Sequence, residues 1–251
     1  MFIIEATYDI DELLRYNFHI HTTFSGCAKP DMILKDIVAE AERCGLEIIA
    51  LTDHSNLGDN LRVVSENTPL LREQLAAVET DVKVLIGSEI SAYGVGKYSE
   101  TKEFCETLDY RLYSQNHYHL SFWEQPEDKS PRGYAVHMLA VLEELFKSGR
   151  ADCVAHPFSG GYIRTLSEEE KLKVPDCITD NELGDILEKG ERAGCAWEIN
   201  AGEFCFLSKF SKRYWDIGRE VGVHFNFGTD GHTLKNVDTR GFAGIIKDII
   251  K

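Results

Sequence analysis

Short apolar runs alternate with amphipathic segments along almost the whole chain, and this alternation restricts the fold more than any other feature. Residues 16–21, 47–52, 82–89, 108–113, 152–156, 196–200 and 223–228 read as strands, several of them rich in β-branched residues. Between them, 30–44, 61–78, 134–148, 181–192, 208–221 and 242–250 carry apolar positions at helical spacing. In the first helix Pro30 suits the opening turn, Asp31 the positive end and Gly45 the stop, and Pro69 marks a possible break in the second. Repeated strand-then-helix units give a parallel sheet covered by helices, and a chain of 251 residues suits such a sheet closed into one α/β barrel. A hydrophobic share of 43% fills a core of that size, and no Ser/Gly-rich or Pro-rich linker divides the chain. The expectation is a single domain over residues 1–251.

The formal net charge of -15 disfavours extended nucleic acid as a partner, because an acidic surface repels the phosphate backbone. It leaves room for a small phosphorylated substrate if bound metal reverses the local potential. Residues 1–14 have no basic n-region, and the longest apolar stretch, 135–146, is broken by His137, Glu143 and Glu144, so neither a signal peptide nor a membrane span is expected. The 7 cysteines are scattered without a C-x-x-C pair, the pattern of reduced thiols in a cytoplasmic protein. The sequence does not indicate an oligomeric state.

The histidines point to the chemistry. His19, His21, His54, His117, His119, His156 and His232 fall at or just after expected strand C-termini, as do Glu89 and Asp230. In a parallel barrel those ends share one face, so residues remote in sequence converge. His19 and His21 are two apart on a strand and face the same side. Imidazole and carboxylate donors together suit Zn, Mn or Fe, and Glu89 has two oxygens with which to join two ions. His137 and His224 lie within elements and read as structural or solvent-facing. Glu198, at the end of 196–200, either touches the site or caps the next helix.

The ordered motifs Phe18-His19-Ile20-His21-Thr22-Thr23-Phe24-Ser25, Leu51-Thr52-Asp53-His54, Gly87-Ser88-Glu89, Ala155-His156-Pro157-Phe158 and Gly228-Thr229-Asp230-Gly231-His232 resemble the PHP (polymerase and histidinol phosphatase) family. The resemblance runs from about residue 17 to 232. It implies a distorted (β/α)7 barrel with two or three divalent metal ions. One ion would be held by His19, His21, Glu89 and Asp230. A second would take Glu89, His156 and one of His117 and His119, with His117 the favoured ligand and His119 behind it or against substrate. A third would take His54 and His232. Many relatives supply a further ligand from the loop after the second histidine; here Ser25-Gly26-Cys27-Ala28 stands there, and Cys27 can ligate as a thiolate.

The resemblance implies hydrolysis of a small phosphate ester, histidinol phosphate being one example, by a metal-activated hydroxide. Glu89, Asp230 and His119 are the catalytic candidates, with Asp53 and His232 as further proton donors. Arg164 is the first candidate for the phosphate oxygens, ahead of Arg132 and Arg240, because a guanidinium fork matches them. A metal-dependent amidohydrolase and a non-catalytic metal-binding module are the alternatives.

Overall fold

The computed structural model describes residues 2–57 and 64–251. Among the described residues the strands are β1 (Tyr16–Ile20), β2 (Ile48–Leu51), β3 (His54–Ser55), β4 (Lys83–Gly94), β5 (Lys97–Tyr98), β6 (Tyr110–Ser114), β7 (Cys153–Val154), β8 (Ala196–Asn200) and β9 (Phe225–Gly228). Seven of them run parallel in the order β1-β2-β4-β6-β7-β8-β9. The ends of this sheet meet. His21 N donates to Gly231 O at 2.9 Å, and Gly231 N donates to His19 O at 3.0 Å, which joins β1 to the segment after β9. The result is a nearly closed seven-stranded barrel.

The helices are α1 (Ile10–Leu13), α2 (Leu34–Cys44), α3 (Val64–Ala76), α4 (Lys102–Cys105), α5 (Pro131–Ser148), α6 (Glu168–Lys173), α7 (Asp180–Arg192), α8 (Ala201–Phe206), α9 (Ser208–Val221) and α10 (Ala243–Ile249). Helix α7 shows why such segments form. Thr179 caps the backbone N–H of Glu182, Glu182 reaches back to Thr179, and Leu183, Ile186 and Leu187 form a buried stripe. Across the barrel interior, Phe18 of β1 stacks at 5.3 Å on Tyr110 of β6, and Asn226 of β9 donates to the Tyr110 hydroxyl at 2.8 Å. Contacts between strands that are not neighbours mean that side chains fill the barrel.

Several boundaries differ from the sequence reading. Helix α2 begins at Leu34, after an extended Ile33, so Pro30 is not in its first turn. Helix α3 runs through Pro69 without a break. The expected helix start at 61–63 lies outside the described residues. Strand β4 continues past Glu89 to Gly94 and turns back as β5, a hairpin that period alone did not reveal. The seven cysteines are all free thiols. No helix among the described residues is long and apolar enough to cross a membrane.

Candidate metal centre

The expected ligands lie at or beyond the C-terminal ends of barrel strands, except Glu89 within β4, and nearly all meet around Glu89. The Glu89 carboxylate is buried on β4. Its oxygens lie 2.6 Å from His54 Nδ1, 3.0 Å from His156 Nε2, 3.5 Å from His117 Nε2, 3.6 Å from His19 Nε2 and 3.7 Å from His21 Nε2. Asp230 Oδ1 lies 3.0 Å from His21 Nε2 and 3.5 Å from His19 Nε2. Donors about 2.1 Å from one tetrahedral ion are about 3.4 Å from each other, so the separations of 3.5, 3.6 and 3.7 Å match donors that share a cation, whereas those of 2.6 and 3.0 Å are direct contacts. Glu89 Oε2 is buried and forms no well-aligned hydrogen bond, although His54 Nδ1 stands 2.6 Å away and two further ring nitrogens lie within 3.7 Å. A buried carboxylate oxygen left this way calls for an ion.

Four donor groups emerge: His19, His21 and Asp230; His19, Glu89 and His156; His54, Glu89 and His117; and His21, His54 and His232. Cys27 stands at the rim, where its Sγ is 3.1 Å from His232 Nε2. The rings of His54 and His232 both stack on His21, each 4.3 Å from it, and lie 6.1 Å from each other. Among the described residues, the expected ligands are therefore placed together, with His119 set back from Glu89 and outside the four groups.

A second layer fixes which ring nitrogen faces the cluster. His19 Nδ1 donates to Glu198 Oε1 at 2.7 Å, leaving the lone pair of Nε2 for an ion. Glu198 Oε2 also accepts from the backbone N–H of His156 at 2.5 Å. His21 Nδ1 donates to Ser25 Oγ at 3.0 Å, and Ser25 in turn donates to Asp53 at 2.6 Å. Asp53 further accepts from Thr22 N at 2.7 Å and Thr22 Oγ1 at 2.6 Å. It is thus held behind His21 by three hydrogen bonds.

The backbone is shaped for this convergence. His156 (φ 28) and Asp230 (φ 51) adopt left-handed conformations that non-glycine residues rarely take, a strain that clusters at functional sites. At Gly228 a Cβ would stand 2.1 Å from Glu198 Oε1 and 2.6 Å from His19 Cβ, so only glycine lets these strands close around the site. The β1–β2 register slips between Asn17 and Ile20, the kind of irregularity that re-aims side chains such as His19.

Electrostatics follow from packing carboxylates and imidazoles out of water. Burial disfavours charge on Glu89, but His54, His117, His156 and His19 outweigh it and hold the carboxyl well below its ordinary range. Asp230 is held low in the same way, mainly by His19. Burial, then His54, depresses His21 to about 3, so that ring is a neutral donor. Burial also pushes His117 well down. For Cys27, burial opposes the thiolate but hydrogen bonds from His232 and His54 prevail and bring its pKa to about 6.

The three candidate arginines separate clearly. Arg164 is exposed, makes no hydrogen bond or ion pair with a described residue, and its charge, after burial, helps lower the pKa of His119. Arg132 instead pairs with Glu182 and donates to Cys177 O at 2.7 Å, tying α5 to α7 outside the barrel. Arg240 is held by Asp238 at 2.7 Å and approaches Cys44 at the far end of α2. Neither reaches the cluster, because each has a carboxylate partner that sequence position did not disclose.

Sequence reasoning did not single out Ser25 or Tyr162. Tyr162 packs edge-on against His117 at 4.9 Å and lies 5.1 Å from His119 and 5.9 Å from His156. A groove of about 850 Å³ between α9 and α10 is lined by Lys212, Arg213 and Ile245 and holds none of these ligands.

No curated protein matches the sequence. Among solved structures, the chain is similar to histidinol phosphate phosphatase from Lactococcus lactis, crystallised with zinc, L-histidinol and phosphate, with TM-score 0.65, 17% identity and 93% of each chain covered. It is also similar to a Listeria monocytogenes protein described as a candidate histidinol phosphatase, with TM-score 0.63, 12% identity and coverage of 91% of this chain and 99% of the other. These likenesses extend the barrel fold over nearly the whole length. Residues 17–157, more than half of the sequence, match the PHP domain, and the chain belongs to the PHP domain family.

Proposed function

We propose that this protein is a metal-dependent phosphoesterase that hydrolyses a small-molecule phosphate ester. The observation that carries the reading is the buried Glu89 carboxylate, within 3.7 Å of five imidazole nitrogens and with one oxygen that forms no well-aligned hydrogen bond. Such a carboxylate suits a bridging ligand between two ions. His19, His21, Glu89 and Asp230 would hold one, and Glu89, His117 and His156 the other. His54, His232 and Cys27 would complete a third site. Zn, Mn or Fe fits this mixture of nitrogen, oxygen and sulfur donors. When bound, such ions lower the pKa of water and offset charge on phosphoryl oxygens.

The chain's own residues supply orientation. Glu198 and the Asp53–Ser25 pair hold His19 and His21 in the ligating tautomer. Arg164, exposed and paired with no described residue, would offer its fork to phosphate oxygens. His119 would hydrogen-bond the leaving oxygen. Its Nδ1 is buried without a partner, and burial together with Arg164 keeps the ring neutral. An ester of histidinol-phosphate type belongs in the first substrate panel because of the Lactococcus likeness.

The test is hydrolysis of p-nitrophenyl phosphate and of a panel of amides by protein reconstituted with Zn, Mn or Fe. Phosphate release that a chelator abolishes and metal restores is expected. Amide turnover without phosphate release would instead select the amidohydrolase reading.

A further inference from the structure

We propose that Tyr162 is a substrate-contacting catalytic residue whose phenol hydroxyl donates a hydrogen bond to a phosphoryl oxygen held over the metal centre. This deepens the phosphoesterase reading and rests on it.

The ring of Tyr162 closes one side of the site. It stands edge-on to His117 and within 6 Å of both His119 and His156, the histidines on the second-ion side of Glu89. The side chain therefore stands beside the expected ligands His117 and His156 and next to His119. A phosphoryl group held by an ion at His117 and His156 would lie within reach of its hydroxyl.

The hydroxyl also lacks an internal use. The neighbouring Tyr118 hydroxyl bonds His137 Nδ1 at 2.8 Å, and Tyr134 bonds Gln125 at 3.0 Å and Thr165 at 2.6 Å. Tyr162 makes no hydrogen bond with a described residue, although the ring is half-buried in a polar site. A phenol placed there only to pack against imidazoles would be served as well by phenylalanine. Its loop is held down nearby. Gly160 sits so close to α6 that a Cβ would meet Lys171 O at 2.3 Å, and Ile163 N donates to Gly160 O at 3.1 Å. A donor on an anchored loop is pre-positioned for an anion.

The substitution Tyr162→Phe removes the hydroxyl and keeps the ring. Inorganic phosphate is titrated into metal-replete wild-type and variant protein by calorimetry, with metal content and melting temperature measured on the same samples. Loss of one hydrogen bond to a charged oxygen weakens phosphate binding by about 10- to 100-fold. The expected result is that loss with metal content unchanged. Phosphate affinity within about 3-fold of wild type, less than one such bond contributes, overturns the proposal. So does a weakening that tracks metal loss, which would make Tyr162 a wall of the metal site. Tyr162→Ala separates these roles, since only removal of the ring then disturbs metal content. Wild-type protein that holds its metals yet binds no phosphate would overturn the phosphoesterase reading itself, and this proposal with it.

Discussion

Replacing Glu89 by glutamine is the perturbation that discriminates most. The two side chains have nearly the same shape, so barrel packing survives, but one ligating oxygen becomes an NH2 donor and the buried charge disappears. That charge faces His54 at 2.6 Å, His156 at 3.0 Å and His117, His19 and His21 at 3.5, 3.6 and 3.7 Å. Removing one partner from a buried charge pair costs about 3–5 kcal/mol. At about 1.4 kcal/mol per tenfold change, that is about 10²- to 10⁴-fold in metal affinity. Because Glu89 faces both His19/His21/Asp230 and His117/His156, Glu89→Gln weakens two ions together. Dialysis against graded chelator, with metal counted by elemental analysis and turnover of a phosphate ester measured in parallel, reads both effects. Arg164→Ala is the comparison, since it leaves metal content intact and raises KM. Glu89→Gln protein that keeps full metal content and near-normal turnover would refute the bridging argument.

Other perturbations test the surrounding layers. Glu198→Gln loosens His19 and lowers metal affinity about 10- to 100-fold with the fold intact; unchanged affinity would show that the 2.7 Å contact is incidental. Gly228→Ala forces a Cβ against Glu198 and His19 and destabilises the fold by about 1–3 kcal/mol, at roughly 2–4 °C of melting temperature per kcal/mol, so an unaltered melting temperature contradicts it. In metal-free protein Cys27 ionises as pH rises through about 6, so its alkylation rate climbs with that midpoint, and bound metal suppresses it. A midpoint near the ordinary thiol value of about 8.5, or equal rates with and without metal, removes Cys27 from the site.

The convergence of the expected ligands was legible because a parallel barrel brings its strand ends to one face. His19, His21, His156 and Asp230 lie at or just past such ends and Glu89 lies within β4, so alternation of strands and helices was enough to gather them. The supporting layer was harder to read. Ser25 is one serine among many until the fold sets it between His21 and Asp53. Glu198 shares its strand-end position with helix caps, and only the 2.7 Å contact to His19 assigns it. Arg132 and Arg240 resembled phosphate ligands because an arginine's partner is a tertiary fact; Glu182 and Asp238 hold them elsewhere. The β4–β5 hairpin escaped because residues beyond Glu89 lack the alternation of a half-exposed strand: nearly all are buried.

Anomalous diffraction from crystals of metal-replete protein, recorded at the absorption edge of the bound element, tests the central claim directly. The account predicts two peaks about 3.5–4 Å apart with the Glu89 carboxylate between them, the spacing of two-ion hydrolytic sites. A single ion, or two ions neither of which touches Glu89, would contradict it.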